Sequence, residues 1–153
     1  MSKRNPDPVI VGLVFTEPGK LLIIKRNIEP FKGGLALPGG YIERGEDWRL
    51  ALQRELIEEA NVHVSVDPAK MKIYDVRSTP DGDKLLIFAT IQASGIVRVD
   101  DFTPNKEVSA RFFADIGYYI TVHHKMCFPL HAQVVEMYWK KNYDFESAHP
   151  GGW

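Results

Sequence analysis

The sequence predicts an α+β domain: a mixed β-sheet with one helix in mid-chain and one near the end. Three observations carry that reading. Short runs of branched apolar residues recur, closed by Pro, Gly or Asp turn signals. One stretch of good helix formers without Gly or Pro, Asp47 to Ala60, interrupts them. A second, Pro129 to Asn142, follows the last of them. At 153 residues the chain is expected to be a single domain spanning 1–153. A chain of this size buries about two-thirds of its unfolded surface.

The elements follow in order. "VIVGLVF" (Val9 to Phe15) and "LLIIKR" (Leu21 to Arg26) flank "TEPGK" and read as a β-hairpin. "NIEPFKGG" is a loop, and "LAL" (Leu35 to Leu37) a short strand stopped by "PGG". Asp47 is the expected N-cap of the mid-chain helix. "VHVSV" alternates as a short strand. "KIYDVRS" and "KLLIFATIQ" enclose "TPDGD" and predict a second hairpin. "EVSARFF" (Glu107 to Phe113) is a further strand. Pro129 suits the first turn of the closing helix, in which Leu130, Val134 and Tyr138 recur four apart. The tail from Tyr143 to Trp153 reads as irregular, or as a segment docked on a partner chain.

Composition excludes several classes of function. A formal net charge of −1 provides no electrostatic footprint for DNA or RNA, although a small basic pocket for phosphate is compatible with it. Cys127 is the one cysteine, so no intramolecular disulfide forms, as in a reducing cytoplasm. "MSKRNPDP" lacks the apolar stretch of a signal peptide, and no run reaches the roughly 18 apolar residues of a membrane span. The expected location is cytoplasmic, with a small-molecule ligand.

The informative stretch is "RELIEEANV", Arg54 to Val62. Wound at roughly 100° per residue, Glu55, Glu58 and Glu59 fall within an arc of about 100°. Apolar residues appear nearly all round this helix, with Leu50 and Ile57 opposite the carboxylates, which predicts a largely buried helix. Carboxylates about 4 Å apart repel by up to about 4 kcal/mol per pair before relaxation. Two readings are open. One is a solvated stripe with Arg54 as a surface partner. The other is a site for a hard divalent cation, which all-oxygen ligands suit. "LPGGYIERGE" favours the second, because Gly39 and Gly40 let backbone approach a metal or a phosphate closely.

These residues resemble the Nudix box of the Nudix hydrolases: Gly40, Glu46, Arg54, Glu55, an apolar Leu56, Glu58, Glu59 and an apolar Val62, in type and spacing. Asn61 departs from the pattern, standing where the family usually has glycine at the end of the helix. Asn is the next-best residue in a left-handed cap. The resemblance implies a Nudix-type α/β/α sandwich. It implies hydrolysis of a nucleoside diphosphate linked to another group, with Mg²⁺ or Mn²⁺ as cofactor. Glu55, Glu58 and Glu59 match the metal ligands, and the Gly39 carbonyl can complete the shell. Glu46 is expected to pair with Arg54 and hold the loop to the helix. Glu107 has two readings, a catalytic carboxylate lining the pocket or an exposed residue at a strand edge.

"IKRNIEPFKGGLALPGG" is similar to the branch acting on ADP-ribose and nucleotide sugars, with Arg26 a phosphate contact and Phe31 a stacking or packing ring. Leu35 replaces the aromatic common there. The runner-up substrate is a nucleoside triphosphate, as in the MutT-like branch, and the rival class is a non-catalytic nucleotide sensor. The family base rate makes a homodimer possible. His123, His124, Cys127 and His131 cluster in "TVHHKMCFPLH" with spacings that fit no standard zinc site; packing is the expected role.

Overall fold

The computed structural model describes residues 4–17 and 19–142; the tail reading for Tyr143 to Trp153 lies outside them. In chain order the elements are β1 (Asp7–Thr16), β2 (Lys20–Arg26), β3 (Leu35–Ala36), β4 (Gly39–Tyr41), α1 (Trp48–Ala60), β5 (Val62–Val64), β6 (Met71–Ser78), β7 (Lys84–Ile91), β8 (Ile96–Val99), β9 (Val108–Ala114), α2 (Ile116–Val122) and α3 (Pro129–Asn142). The helix bounds and the Asp47 cap, whose side chain accepts from the Arg49 N–H at 2.9 Å, agree with the expectation. So does the β6–β7 hairpin.

The first expected hairpin is a correction. β1 and β2 pair only at the tip, Phe15 with Leu21 and Thr16 with Lys20. Beyond it they part. β1 runs parallel to β7 from Asp7–Lys84 to Val14–Ile91 and takes β4 on its other side. β2 takes β3 and β9. The "PGG" stretch therefore does not simply stop a strand: the chain changes partner at Pro38 and resumes as β4. The glycine makes this possible, since a Cβ on Gly39 would overlap the Ile10 carbonyl oxygen.

Two further elements were not expected. β8 is four residues long and pairs with β5 in a separate two-stranded sheet. α2 contains Gly117 and several β-branched residues, all weak helix formers. The Asp115 side chain starts it by accepting from the Tyr118 N–H at 2.8 Å.

β1 sorts the core by its period of two. Val11, Leu13 and Phe15 join one apolar cluster with Tyr119, Val122, Val134, Val135, Tyr138 and Trp139 of α2 and α3. Ile10 and Val14 join the other, with Ala51, Leu52, Leu56 and Ala60 of α1. The sheet is thus covered on both faces, the expected α/β/α sandwich. Gly12 lets α1 sit close: a Cβ there would stand 3.1 Å from Leu52 Cδ1. Fully burying Leu52 and Leu56 stabilises by about 1.5–3 kcal/mol each. No helix among the described residues is long and apolar enough to cross a membrane.

Candidate active site

α1 is not buried all round, contrary to the sequence reading. Leu50 and Ile57 are 48% and 38% exposed. The face turned to the sheet carries Ala51, Leu52, Leu56 and Ala60, and with them Glu55 and Glu59, which are also buried. The three carboxylates are therefore not equivalent. Glu55 and Glu59 sit inside, against β4, whereas the Glu58 side chain is 59% exposed at the rim.

The outer edge of β4 explains why two carboxylates tolerate that position. In the antiparallel register Ile10 faces Gly40, so the main-chain groups of Gly39 and Tyr41 turn away from β1 toward α1. The Gly39 N–H donates to Glu59 Oε1 at 2.8 Å, and the Tyr41 carbonyl accepts from Arg54 Nη2 at 3.1 Å. By the same alternation the Gly39 carbonyl points out on this edge. Gly40 has no side chain because the Glu55 carboxylate occupies its space: a Cβ there would overlap it.

Arg54 is the organising cation. Its Nε and Nη2 donate to the two Glu46 oxygens at 2.9 and 3.0 Å, a bidentate pair. Its Nη1 donates to Glu55 Oε1 at 2.8 Å and lies 3.6 Å from Glu58 Oε2. The arginine holds the Glu46 carboxyl down to about 2, helped by the Glu43 N–H. The expected loop-to-helix pair is present, and Arg54 also reaches into the carboxylate cluster.

The cluster remains short of positive charge. Burial pushes the Glu59 carboxyl up to about 8 against its bond from Gly39, with Glu55 and Glu107 adding repulsion. Burial likewise raises Glu55, despite Arg54. Among the described residues no three His, Cys, Asp or Glu side chains converge closely enough to form a preset cation site; Glu55 is engaged by Arg54 and Glu59 by Gly39.

The remaining predicted residues surround this centre. Arg26 ends β2, its Nε donating to the Pro30 carbonyl at 2.8 Å and its guanidinium 5.3 Å above the Phe128 ring. Its charge favours ionised Glu59. Phe31 is 54% exposed, sits at φ 63°, and meets Phe128 edge-on at 5.7 Å. A phenylalanine in the left-handed region is uncommon and costs about 1–3 kcal/mol. Glu107 is exposed just before β9, and its charge is felt by both Glu55 and Glu59. Asn61 adopts the left-handed cap expected of it, at φ 53° and ψ 43°. Its amide also donates to the Asp101 carbonyl at 2.7 Å, a bond glycine cannot make.

His131 serves packing. It is buried against Phe88 and Phe128, and its Nδ1 accepts from the Leu37 N–H at 3.2 Å. Burial pushes it down to about 3, so it stays neutral. Sequence reading missed Asn105, which lies between α1, the loop after β2 and Glu107. An Asn three residues ahead of a strand is a turn signal that points to it.

A NUDIX domain model matches residues 6–116. An ADP-ribose pyrophosphatase from Methanocaldococcus jannaschii is 40% identical over 75 residues, 49% of this chain and 42% of that protein, so the chain spans less than half of this relative's length. Solved structures share the fold. A bifunctional NMN adenylyltransferase/ADP ribose pyrophosphatase from Francisella tularensis, complexed with AMP and a manganese ion, superposes with TM-score 0.76 at 19% identity, over 92% of this chain and 43% of that one. The NUDIX domain of Shewanella oneidensis NrtR, complexed with ADP ribose, gives 0.71 at 18%, over 91% and 90%. A NUDIX hydrolase from Nitrosomonas europaea gives 0.73 at 20%, over 99% and 76%. With the family match running from the start of β1 into α2, on a sheet and box helix arranged as described, the chain belongs to the NUDIX family.

Proposed function

We propose that the chain is a divalent-metal-dependent pyrophosphohydrolase acting on a nucleoside diphosphate linked to another group, with ADP-ribose or a related nucleotide sugar as substrate. The observation that carries this is the buried Glu55–Glu59 pair beneath Gly39 and Gly40. Two buried carboxylates raised toward protonation, of which Arg54 reaches only Glu55, form a site that a hard cation would stabilise. The donor set fits such an ion: Glu55, Glu58 and Glu59 would hold it, with the Gly39 carbonyl. When bound, Mg²⁺ or Mn²⁺ supplies positive charge that neutralises a pyrophosphate and acidifies water.

The chain's own groups do the rest. Arg54 and Glu46 keep the box loop and α1 in register. Arg26 offers a guanidinium to phosphate, and Phe31 offers a ring to a base. Glu107, on the lip, takes the proton as water adds to one phosphorus. The bridging P–O bond breaks, and two phosphomonoesters leave. The relatives named for ADP-ribose support the substrate class, as does the "EPFKGG" loop.

The test is a phosphate-release screen with product identification over ADP-ribose, nucleotide sugars, dinucleoside polyphosphates and nucleoside triphosphates, each with Mg²⁺ and Mn²⁺. A diphosphate-linked compound is expected to lead. One triphosphate about tenfold above all of them in kcat/KM overturns the substrate. Tight ADP-ribose binding without turnover makes the chain a sensor and overturns the enzyme.

A further inference from the structure

We infer that Asn105 is a positioning residue that holds Glu107 over the Glu55–Glu59 pair, a role that rests on the metal-site reading above. Asn105 lies in the loop between β8 and β9 and joins three segments that sequence keeps apart. Its side-chain Oδ1 accepts from the Glu107 N–H and the Val108 N–H, both at 2.9 Å. Its Nδ2 donates to the Glu58 carbonyl on α1 at 3.4 Å. Its own carbonyl accepts from the Asn27 side-chain amide at 2.8 Å, and its N–H donates to the Val108 carbonyl at 2.9 Å. Asn27 closes the ring by donating its N–H to the Glu107 carbonyl at 2.8 Å. The main chain of Glu107 is thus held from both sides, by the Asn105 turn and by the residue next to Arg26.

This bracing matters because Glu107 is exposed. A glutamate free at a strand edge would spread its carboxylate over many rotamers. Fixing its backbone narrows the volume those rotamers sweep. The Asn105 side chain bonds the Glu107 N–H on one side and the Glu58 carbonyl on the other, which brings Glu107 beside the helix that carries the carboxylates. The bond to the Glu58 carbonyl sets the height of the lip against the helix that carries all three box carboxylates. A side chain that orients a charged group near a metal commonly governs affinity by about 10–100-fold.

The test uses calorimetric Mn²⁺ titration of the whole protein. It compares wild type, Asn105→Ala, Asn105→Ser, Glu107→Gln and the Asn105→Ala/Glu107→Gln double variant. Asn105→Ala should weaken Mn²⁺ binding by about tenfold. Asn105→Ser, which keeps a shorter acceptor and adds no charge, should recover part of it. In the Glu107→Gln background Asn105→Ala should cost almost nothing more in Mn²⁺ affinity, while its effect on the melting temperature should be the same in both backgrounds. That split separates positioning from a merely structural role. Should Asn105→Ala not fold, Asn105→Ser carries the same cycle. Unchanged affinity in Asn105→Ala or in Glu107→Gln overturns the inference, as does an equal loss in both backgrounds. Wild-type protein that binds no Mn²⁺ overturns the metal-site reading and this inference together. Binding with additive losses overturns the inference alone.

Discussion

Leu37 and Gly39 stand two residues apart, and their N–H groups are taken up by helices on opposite faces of the sheet. Leu37 donates to His131 of α3, and Gly39 donates to Glu59 of α1. The two bonds answer one need. Where the chain leaves β2 for β1 at Pro38, sheet partners are lost and the backbone donors must be satisfied otherwise. Both acceptors are buried, and burial drives both toward the neutral form. The environments then diverge. His131 lies among Phe88 and Phe128 and is complete as a neutral ring. Glu59 has Glu55 and Glu107 for neighbours, whose repulsion adds to burial in raising its carboxyl. One layer of the sandwich is a finished core, and the other is a core with an unsettled charge.

The largest expected effect comes from removing that charge. Glu59→Gln keeps the shape and an oxygen for the Gly39 N–H. Turnover should fall about a hundredfold or more, while metal-free stability holds or rises because a neutral amide replaces a carboxyl that burial disfavours in its ionised form. Steady-state assays and thermal melts in EDTA check this. A stability loss without an activity loss would put Glu59 on the same footing as His131.

The adjacent glycines sharpen the contrast. Gly39→Ala forces a methyl into the Ile10 carbonyl and should cost about 1–3 kcal/mol of stability, measured by denaturant unfolding. Gly40→Ala meets only the movable end of Glu55. Its stability should change little, while activity falls about tenfold through the displaced carboxylate. If Gly40→Ala unfolds the protein and leaves activity per folded molecule intact, the Glu55 carboxylate has no role at the site.

The two buried groups also have opposite pH signatures. Glu59, raised from 4.5 to about 8, binds a proton in the folded state that the unfolded chain has released, so metal-free stability falls as pH rises from 4.5 to 8. His131, lowered from 6.5 to about 3, stays neutral when folded, so stability falls as pH drops from 6.5 toward 3. Between pH 4.5 and 6.5 the slopes oppose each other, which predicts a plateau there. Saturating Mg²⁺ should remove the alkaline limb and leave the acid one. Melting temperatures across pH, with EDTA and with Mg²⁺, test this; an alkaline limb that persists in Glu59→Gln would assign it to another group.

The smallest effect concerns the half-buried Arg54–Glu46 clamp. Arg54→Ala and Glu46→Ala should give similar defects in activity. Their double variant should be less than additive, as expected of two groups joined in one bidentate pair. Full additivity would mean that Arg54 acts through Glu55 and not through Glu46.

Much of this was legible locally. The Asp47 cap, the run to Ala60, the Asn61 stop and the "TPDGD" hairpin obey rules that act within a few residues. The spacing of Glu46, Arg54, Glu55, Glu58 and Glu59 was readable for the same reason, since one helix and its leading loop carry them all. Only the tertiary structure decided which glutamates are buried, because that depends on β4 lying against α1, a pairing set by Ile10 and Gly40 across thirty positions of chain. It turned Leu50 and Ile57 outward although they are apolar, parted β1 from β2 beyond their tip, and brought Asn105 to Glu58 and Asn27. Periodicity states what a helix offers to its surroundings. Burial, and with it the charge state of Glu55, Glu59 and His131, is a property of what packs against each group, and that is settled only when distant segments meet.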